Sequence, residues 1–442
     1  MAAGALPGFR DFYPDTFAQR AQIVHAWRTV ARRFGFVEYD GPPLEPLELY
    51  TRKSGEEIVG QLYNFVDKGG REVALRPEMT PTFARMVAAR ANALRKPVRW
   101  FSVPQLFRYE RQQKGRLREH FQLNVDIVGE PDALADAELL AVAIEIMREL
   151  GLTAADVRAR VSDRRLFTAL LGAVGVAGAQ LPAAYAVVDK MTRLTHDDAL
   201  RKLEDAGIAP ATARRIVEVV HLPSLAELPD ELAREPVVAE SVARLGEYLA
   251  HLDALGVGDW VDLDLKIVRG LAYYTGTVFE LFDARGELRA VAGGGRYDTL
   301  LAALGGVDLP ALGFGMGDVV LGELLRDRGL LRAAPPASDY WVVADEGAAL
   351  RDVLRAARAL RQRGLSVEYP LNAAKLATQK TRAQLQAAQK AGAARALVVR
   401  RDGTGEIRTL GDDAAEPTVV RLDELAAPGA AGDPAAAAPP LS

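Results

Sequence analysis

The side chains best suited to bind a charged ligand follow two strand-like segments, residues 98–110 and 121–129, joined by a basic loop. In the second segment polar and apolar residues alternate, so a strand places its polar residues on one face. If the two segments pair as a hairpin, their polar residues share that face. These residues are Arg108, Glu110, Gln122, Asn124 and Asp126. An exposed amphipathic sheet would alternate in the same way, but short planar hydrogen-bonding groups without lysine favour the floor of a binding site.

A second set of polar side chains lies at a predicted strand-to-helix turn. Residues 72–77 are typical of a short strand, and Thr80 followed by Pro81 is typical of a helix start with the threonine hydroxyl as its cap. Glu78 and Thr80 then lie in the turn, where side chains and backbone amides can face a ligand.

The loop between the two strand-like segments is strongly basic. Its cations are Arg108, Arg111, Lys114, Arg116 and Arg118. Runs of charge are usually solvated, but this loop connects the strands that carry the polar face. The formal net charge of −4 argues against a chain whose whole surface binds nucleic acid, and it leaves a local basic patch open.

Residue counts exclude several classes of site. The chain has no cysteine, which excludes disulfide scaffolds, cysteine nucleophiles, thiolate zinc sites and iron–sulfur clusters. Its five histidines are not spaced as ligands on one helix, so we expect no protein metal site. The run 293–295 matches neither common nucleotide-binding glycine pattern and is alone weak support for a phosphate loop.

Without a signal-like or membrane-spanning apolar stretch, the expected compartment is the cytoplasm.

The elements that position these residues divide the 442-residue chain into several parts. Strand signals occur around the polar face in the first part of the chain and return in a later part of the chain. The region between these two parts has helical periodicity. After an Ala/Pro-rich linker, strands alternate with helices, as in a small α/β domain with parallel strands. We therefore predict an α+β chain with a core at 1–154, a helical insertion at 155–255, more core at 256–331, a linker at 332–338, an α/β domain at 339–425 and a disordered tail at 426–442.

Six motifs make the chain resemble the histidyl-tRNA synthetases, a family of class II aminoacyl-tRNA synthetases. They occur in the order of the family, and the resemblance extends over most of residues 8–425. The motifs are GFRDFYP (8–14), LRPEMT (75–80), FRYERQQKGRLREHFQ (107–122), RGLAYYTGTVFE (269–280), GGGRYD (293–298) and PALGFGMGD (310–318).

The resemblance implies a fold and a reaction. The fold is an antiparallel sheet of six or seven strands flanked by helices, with a helical insertion and a C-terminal α/β anticodon-binding domain. The family acts as homodimers, and Pro42 matches the motif-1 proline of the dimer interface. The reaction is activation of L-histidine by ATP, accompanied by Mg²⁺, to histidyl-adenylate, followed by transfer to histidine tRNA. Because the histidine carboxylate itself attacks the α-phosphate, the protein must position groups and neutralise charge, and it needs no nucleophile of its own.

The resemblance also implies which residues contact ATP. Arg108 matches the arginine that contacts both the α-phosphate and the histidine carboxylate, and Arg269 matches a second arginine at the α-phosphate. Glu110 matches a residue near the adenine, and Arg116 lies in the loop that closes over ATP. Arg108 and Arg269 are therefore the expected catalytic residues, and their planar guanidinium groups suit phosphate oxygens.

The histidine pocket follows from the same comparison. The matching residues are Glu78, Thr80, Gln122, Asp126, Arg269, Tyr273 and Tyr274. The first three correspond to groups that hold the α-ammonium of the substrate. Asp126 and Tyr274 would hold the two imidazole nitrogens, and Tyr273 would line the pocket, although core packing is the simpler interpretation of two adjacent tyrosines outside this motif.

Three positions depart from the usual pattern of the family. Ala272 replaces an aspartate, Asp126 replaces a glutamate, and the helix after Gly317 lacks an early arginine that many members use for the γ-phosphate. Organelle-type plant enzymes of the family share the first and the last of these spellings. We expect Mg²⁺ and the loop residues Arg116 or Arg118 to serve the γ-phosphate instead.

The sequence leaves two other functions open. The regulatory subunit of ATP phosphoribosyltransferase resembles the synthetase core and binds histidine, but it generally lacks the anticodon domain and often lacks the arginines. The presence of Arg108, Arg116, Arg269 and the C-terminal domain favours a synthetase. A class II synthetase for threonine, proline or glycine is disfavoured by the segment RGLAYYTG.

Overall fold

The computed structural model describes residues 4–54, 56–109, 115–191, 194–222, 224–267, 274–332, 336–412 and 414–426. The chain divides into two compact units, Met1–Ala333 and Ala334–Ser442, with the division inside the linker expected from composition. Residues 427–442 of the predicted tail lie outside the described residues.

The first unit contains a large sheet and a three-stranded sheet, β2-β4-β3. Its strands are β1 (Val37–Glu38), β2 (Leu44–Pro46), β3 (Asn64–Val66), β4 (Glu72–Leu75), β5 (Val98–Ser102), β6 (Gln105–Phe107), β7 (Glu119–Val128), β8 (Val157–Asp163), β9 (Val261–Leu263), β10 (Thr277–Asp283), β11 (Ala292–Arg296) and β12 (Ala311–Gly317). Its helices are α1 (Pro14–Arg33), α2 (Glu48–Ser54), α3 (Thr80–Arg90), α4 (Ala133–Glu149), α5 (Arg164–Ala173), α6 (Leu181–Val188), α7 (His196–Asp205), α8 (Pro210–Val220), α9 (Asp230–Ala233), α10 (Pro236–Ala254), α11 (Leu300–Gly305) and α12 (Asp318–Asp327).

The large sheet is antiparallel through its centre. Its order is β1-β5-β7-β12-β11-β10-β8-β9, with β6 also paired to β7. The six strands from β5 to β8 pair antiparallel, whereas the edge pairs β1–β5 and β8–β9 are parallel. Within the described ranges the sheet has nine strands, more than the six or seven expected, because the short strands β1 and β9 join its edges.

The predicted hairpin around the basic loop is confirmed. Strands β5 and β6 both pair antiparallel with β7. The first segment is not one continuous strand, however, because Pro104 separates β5 from β6 and proline cannot donate a ladder hydrogen bond. Leu123, Val125 and Ile127 face the main core with Trp27 of α1, and the alternating polar residues of β7 face the opposite side.

Strand β8 differs from the expectation for its region. It lies within the range expected to be a helical insertion, yet it pairs along its whole length with β10. Buried Val157, Ala159 and Val161 alternate with half-buried arginines. Arginine and alanine are strong helix formers, so the composition concealed a period of two. The helical part of this range begins with α5, and its helix α10 packs against α4 and α5.

The second unit has its own core around a five-stranded sheet, β14-β13-β15-β16-β17. Its elements are β13 (Ser338–Ala344), α13 (Leu350–Gln362), β14 (Val367–Glu368), α14 (Ala373–Thr378), α15 (Thr381–Ala391), β15 (Ala393–Val399), β16 (Thr404–Thr409) and β17 (Thr418–Arg421). Strand β13 pairs in parallel with β14 and β15, as predicted. Two further strands extend the sheet: Gly403, at φ +82°, turns the chain into β16, and β16 and β17 pair antiparallel.

Among the described residues, no helix combines the length and the apolar character needed to cross a membrane.

Candidate functional site

The centre of the polar face is a floor of glycines on β11 and β12. The register pairs are Gln122–Gly317, Asn124–Gly315 and Asp126–Gly313, continued by Gly315–Gly293 and Gly313–Gly295. A β-carbon at Gly315 would lie 2.5 Å from Nε2 of Gln122, and one at Gly313 would overlap the Asp126 carboxylate. Glycine is needed because the polar side chains of β7 lie over this backbone. The run that was weak support for a phosphate loop thus belongs to this glycine floor.

Three polar residues of β7 form a hydrogen-bonded row. Nε2 of His120 lies 3.2 Å from Oε1 of Gln122, and Nε2 of Gln122 donates to Oδ1 of Asn124 at 2.8 Å. Nδ2 of Asn124 donates to the Gln122 carbonyl oxygen at 3.2 Å. Burial and the nearby charge of Arg108 lower the pKa of His120 to about 4. His120 and Asn124 were not among the predicted site residues, although the alternation already placed Asn124 on this face.

Asp126 lies at the buried end of this row. Its side chain is 4% exposed, and the hydroxyl of Tyr297 donates to Oδ1. Burial raises the pKa of Asp126 to about 7, against the opposing effect of the Tyr297 hydrogen bond. Tyr274 is buried in the same apolar cluster as Tyr297, with Phe83 of α3. The structure therefore adds Tyr297, which sequence reasoning missed: it bonds the predicted residue Asp126 and packs in the same cluster as the predicted residue Tyr274.

Arg108 connects β7 to the turn that carries Glu78 and Thr80. Its backbone amide donates to the carbonyl oxygen of Arg118, and its Nε donates to the carbonyl oxygen of Pro77 at 3.0 Å. Glu78 and Thr80 follow directly and are half-buried. Helix α3 begins at Thr80 itself, with Met79 in the cap position, so the predicted capping role of Thr80 is wrong.

The end of the basic loop lies against α12. Arg116 and Arg118 are half-buried, and the Arg118 guanidinium stacks 4.5 Å from the ring centre of Tyr109. A β-carbon at Gly115 would lie 3.3 Å from Val320 in the first turn of α12. Cationic side chains therefore stand at the end of the polar face opposite Asp126.

A buried ion-pair network holds this end of the sheet together. Arg10 bonds Oε1 of Glu119 at 2.6 Å and pairs with Asp318 at 2.9 Å. Asp318 also accepts the backbone amide of Phe121 at 2.9 Å. Burial raises the pKa of Asp318 even though Arg10 opposes it. Asp318 is the first residue of α12, and its contacts join the N-terminal segment, β7 and α12.

Glu280 adds a carboxylate to the polar face. It lies on β10 in register with Gly293 and is 3% exposed. Because directly paired residues point to one side of a sheet, Glu280, Gly293, Gly315 and Asn124 form one row across the face. Its place in the motif ending VFE was visible in the sequence, but only the register shows which face it occupies.

Three predicted site residues, Glu110, Arg269 and Tyr273, lie outside the described residues. Within the described ranges, no three His, Asp or Glu side chains are grouped as metal ligands. The described arrangement can bind an elongated ligand, with a polar ring at the Asp126 end and an anion at the Arg108 end.

Comparison with known proteins gives consistent matches. The family profile for histidyl-tRNA synthetase matches residues 8–317. The chain is 50% identical to a histidine–tRNA ligase of Opitutus terrae, over 83% of this chain and 85% of that protein. It is 39% identical to the chloroplastic/mitochondrial histidine–tRNA ligase of Arabidopsis thaliana, over 82% and 74% respectively. A crystal structure of histidyl-tRNA synthetase from Nostoc has the same fold, with a TM-score of 0.82 over 96% of this chain and 98% of that chain at 24% identity.

Proposed function

Since this chain belongs to the histidyl-tRNA synthetase family of class II aminoacyl-tRNA synthetases, we propose that it carries out its reaction on the polar face of the large sheet. The chain joins histidine to tRNA. The observation that supports this site is the polar row of β7 over the glycine floor, between Arg108 and Asp126. We infer a ligand path along this row, with the imidazole at Asp126 and the phosphates at Arg108.

The histidine end of the path supplies hydrogen-bond acceptors and side chains that enclose the imidazole. Asp126 accepts from one imidazole nitrogen, Tyr274 meets the other, and Tyr273 completes the pocket. Glu78, Thr80 and Gln122 hold the α-ammonium, since a carboxylate and neutral oxygens suit a cation in a partly dry site. The burial of Asp126 supports this assignment, because a buried carboxylate is costly unless its oxygens are satisfied, and a ligand donor would add to the Tyr297 hydroxyl.

The ATP end of the path supplies cations. Arg108 bridges the histidine carboxylate and the α-phosphate, and Arg269 stabilises the charge that develops as the carboxylate oxygen attacks phosphorus and pyrophosphate leaves. Glu110 meets the adenine, and Arg116 covers the outer phosphates. The bond from Arg108 to the Pro77 carbonyl oxygen supports this role, because a guanidinium fixed before the substrate binds needs little reorganisation in the transition state.

Mg²⁺ accompanies ATP in this proposal. Glu280 fits such an ion, because carboxylate oxygens are preferred Mg²⁺ ligands and Glu280 lies on the polar face. When bound, Mg²⁺ offsets phosphate charge. The γ-phosphate contact of Arg116 or Arg118 remains a prediction, in which Arg116→Ala raises the KM for ATP and leaves the KM for histidine unchanged.

The remaining assignments concern the whole protein. A homodimer is supported by exposed apolar side chains on the three-stranded sheet beside Pro42, where Phe65 is 50% and Val66 63% exposed. The second unit binds the anticodon of histidine tRNA in this proposal, and the domain boundaries stay predictions. The cytoplasmic location and the plant organelle type remain predictions.

Charging of histidine tRNA tests the function directly. The purified chain should form histidyl-tRNA with ATP, Mg²⁺ and histidine, and should reject threonine, proline and glycine. A regulatory protein of the ATP phosphoribosyltransferase type would bind histidine in a thermal-shift assay without charging tRNA, and that result would overturn the proposal.

A further inference from the structure

His120 lies on the polar face but has no part in the proposed histidine and ATP contacts. It is half-buried at the Arg108 end of the β7 row, directly before the residues that line the histidine path. Its cross-strand partner is Leu106, a fully buried apolar side chain. The imidazole therefore has its polar contact along the strand, with Gln122.

The backbone determines the direction of every hydrogen bond in this row. Nδ2 of Asn124 donates to the Gln122 carbonyl oxygen, which can only accept. Oδ1 of Asn124 is then the acceptor for Nε2 of Gln122 at 2.8 Å. The other amide atom of Gln122 is Oε1, which lies 3.2 Å from Nε2 of His120. The imidazole must therefore carry its proton on Nε2 and donate to Gln122.

We propose, resting on the proposed function, that His120 is a positioning residue that orients the Gln122 amide for the α-ammonium of histidine. An ammonium has only donors, so Gln122 must present its oxygen to it. An amide rotated by a half-turn would present its NH₂ group instead. One lone pair of Oε1 accepts from His120, and the second is available to the ammonium.

Two further features fit this role. The Gln122 amide lies flat on the glycine floor, because a β-carbon at Gly315 would lie 2.5 Å from its Nε2. The groups around the imidazole are Arg108 and Arg10, which lower its pKa, and Gln122 and Glu119, which raise it. With the pKa of His120 at about 4, the ring is neutral at pH 7 and holds one proton, which the row assigns to Nε2.

A set of substitutions in the full-length protein tests this inference. In histidine-dependent ATP–pyrophosphate exchange, His120→Phe keeps the ring shape but removes the donor, and should raise the KM for histidine about fivefold to tenfold. The KM for ATP should change by less than about twofold. His120→Gln places an N–H donor at the reach of Nε2 and should restore histidine binding, whereas His120→Asn mimics Nδ1 and should not. His251→Phe, on α10, is the matched control and should behave as the wild type.

The outcomes separate this inference from the proposed function. A wild type without histidine-dependent exchange contradicts the proposed function. An active wild type whose His120→Phe variant keeps its KM for histidine, or changes only its KM for ATP, overturns the inference alone. If His120→Phe does not fold, nitrogen-15 NMR of the wild-type imidazole decides: a proton on Nε2 supports the inference, and a proton on Nδ1 overturns it.

Discussion

At the scale of single residues, Asp126 determines which side chain the pocket accepts in the proposed function. Asp126→Ala would remove the carboxylate that accepts from one imidazole nitrogen and from the Tyr297 hydroxyl. We expect kcat/KM for histidine to fall at least about tenfold, with most of the change in KM. Tyr297→Phe removes only the second contact and should have a smaller effect in the same exchange assay. Unchanged histidine kinetics in Asp126→Ala would show that the pocket lies elsewhere.

The same carboxylate makes stability depend on pH. Burial raises the pKa of Asp126 to about 7 in the folded protein, so the folded state holds this proton more tightly than the unfolded chain. The free energy of unfolding therefore falls as pH rises from about 4 to about 7, by a total on the order of 4 kcal/mol. Asp126→Asn removes this contribution. Its melting temperature should exceed that of the wild type by a larger margin at pH 8 than at pH 5, and an equal margin at both values would contradict the assignment.

Alternation along β7 was enough to predict that Gln122 and Asp126 share a face. The contact between Tyr297 and Asp126 was beyond sequence reasoning, because the two residues are 171 positions apart. Their approach depends on the pairing of β7 with β12 and of β12 with β11, which no local pattern encodes.

At the scale of elements, substitutions of the glycines of β11 and β12 distinguish effects on the geometry of the site from effects on folding. Gly315→Ala would push only the side-chain end of Gln122, so it should raise the KM for histidine with little loss of stability. Gly294 points to the other face, where an added β-carbon would lie 2.5 Å from the Gly313 carbonyl oxygen. Gly294→Ala should therefore lower the melting temperature. Comparing histidine KM and melting temperature for both variants checks the register, and equal losses of stability would contradict it.

The elements themselves were predictable to different degrees. Strand β12 forms over residues 311–317, where glycines alternate in the sequence with buried apolar residues. Strand β8 was missed because its composition is typical of a helix, and the extent of a two- or three-residue strand such as β1 or β9 depends on its neighbour in the sheet.

At the scale of the whole molecule, the two units have separate cores. Apolar clusters of the first unit end before the linker, and those of the second unit begin at Tyr340. A protein truncated after Arg332 should therefore keep histidine-dependent pyrophosphate exchange and lose most tRNA charging, because the proposed anticodon contacts are removed. Charging of tRNA at the full-length rate by the truncated protein would contradict this assignment.

The most direct test of the proposed active site is histidine-dependent ATP–pyrophosphate exchange by Arg108→Lys. Lysine keeps the charge but cannot reproduce two aligned donors toward the α-phosphate and the carboxylate. The matched control is Arg99→Lys on the opposite face of the sheet, where Arg99 pairs with Glu138 at 2.9 Å. We predict a loss in kcat of roughly a hundredfold or more for Arg108→Lys with an unchanged melting temperature, and near wild-type exchange for the control. Wild-type exchange by Arg108→Lys would contradict the placement of adenylation on this polar face.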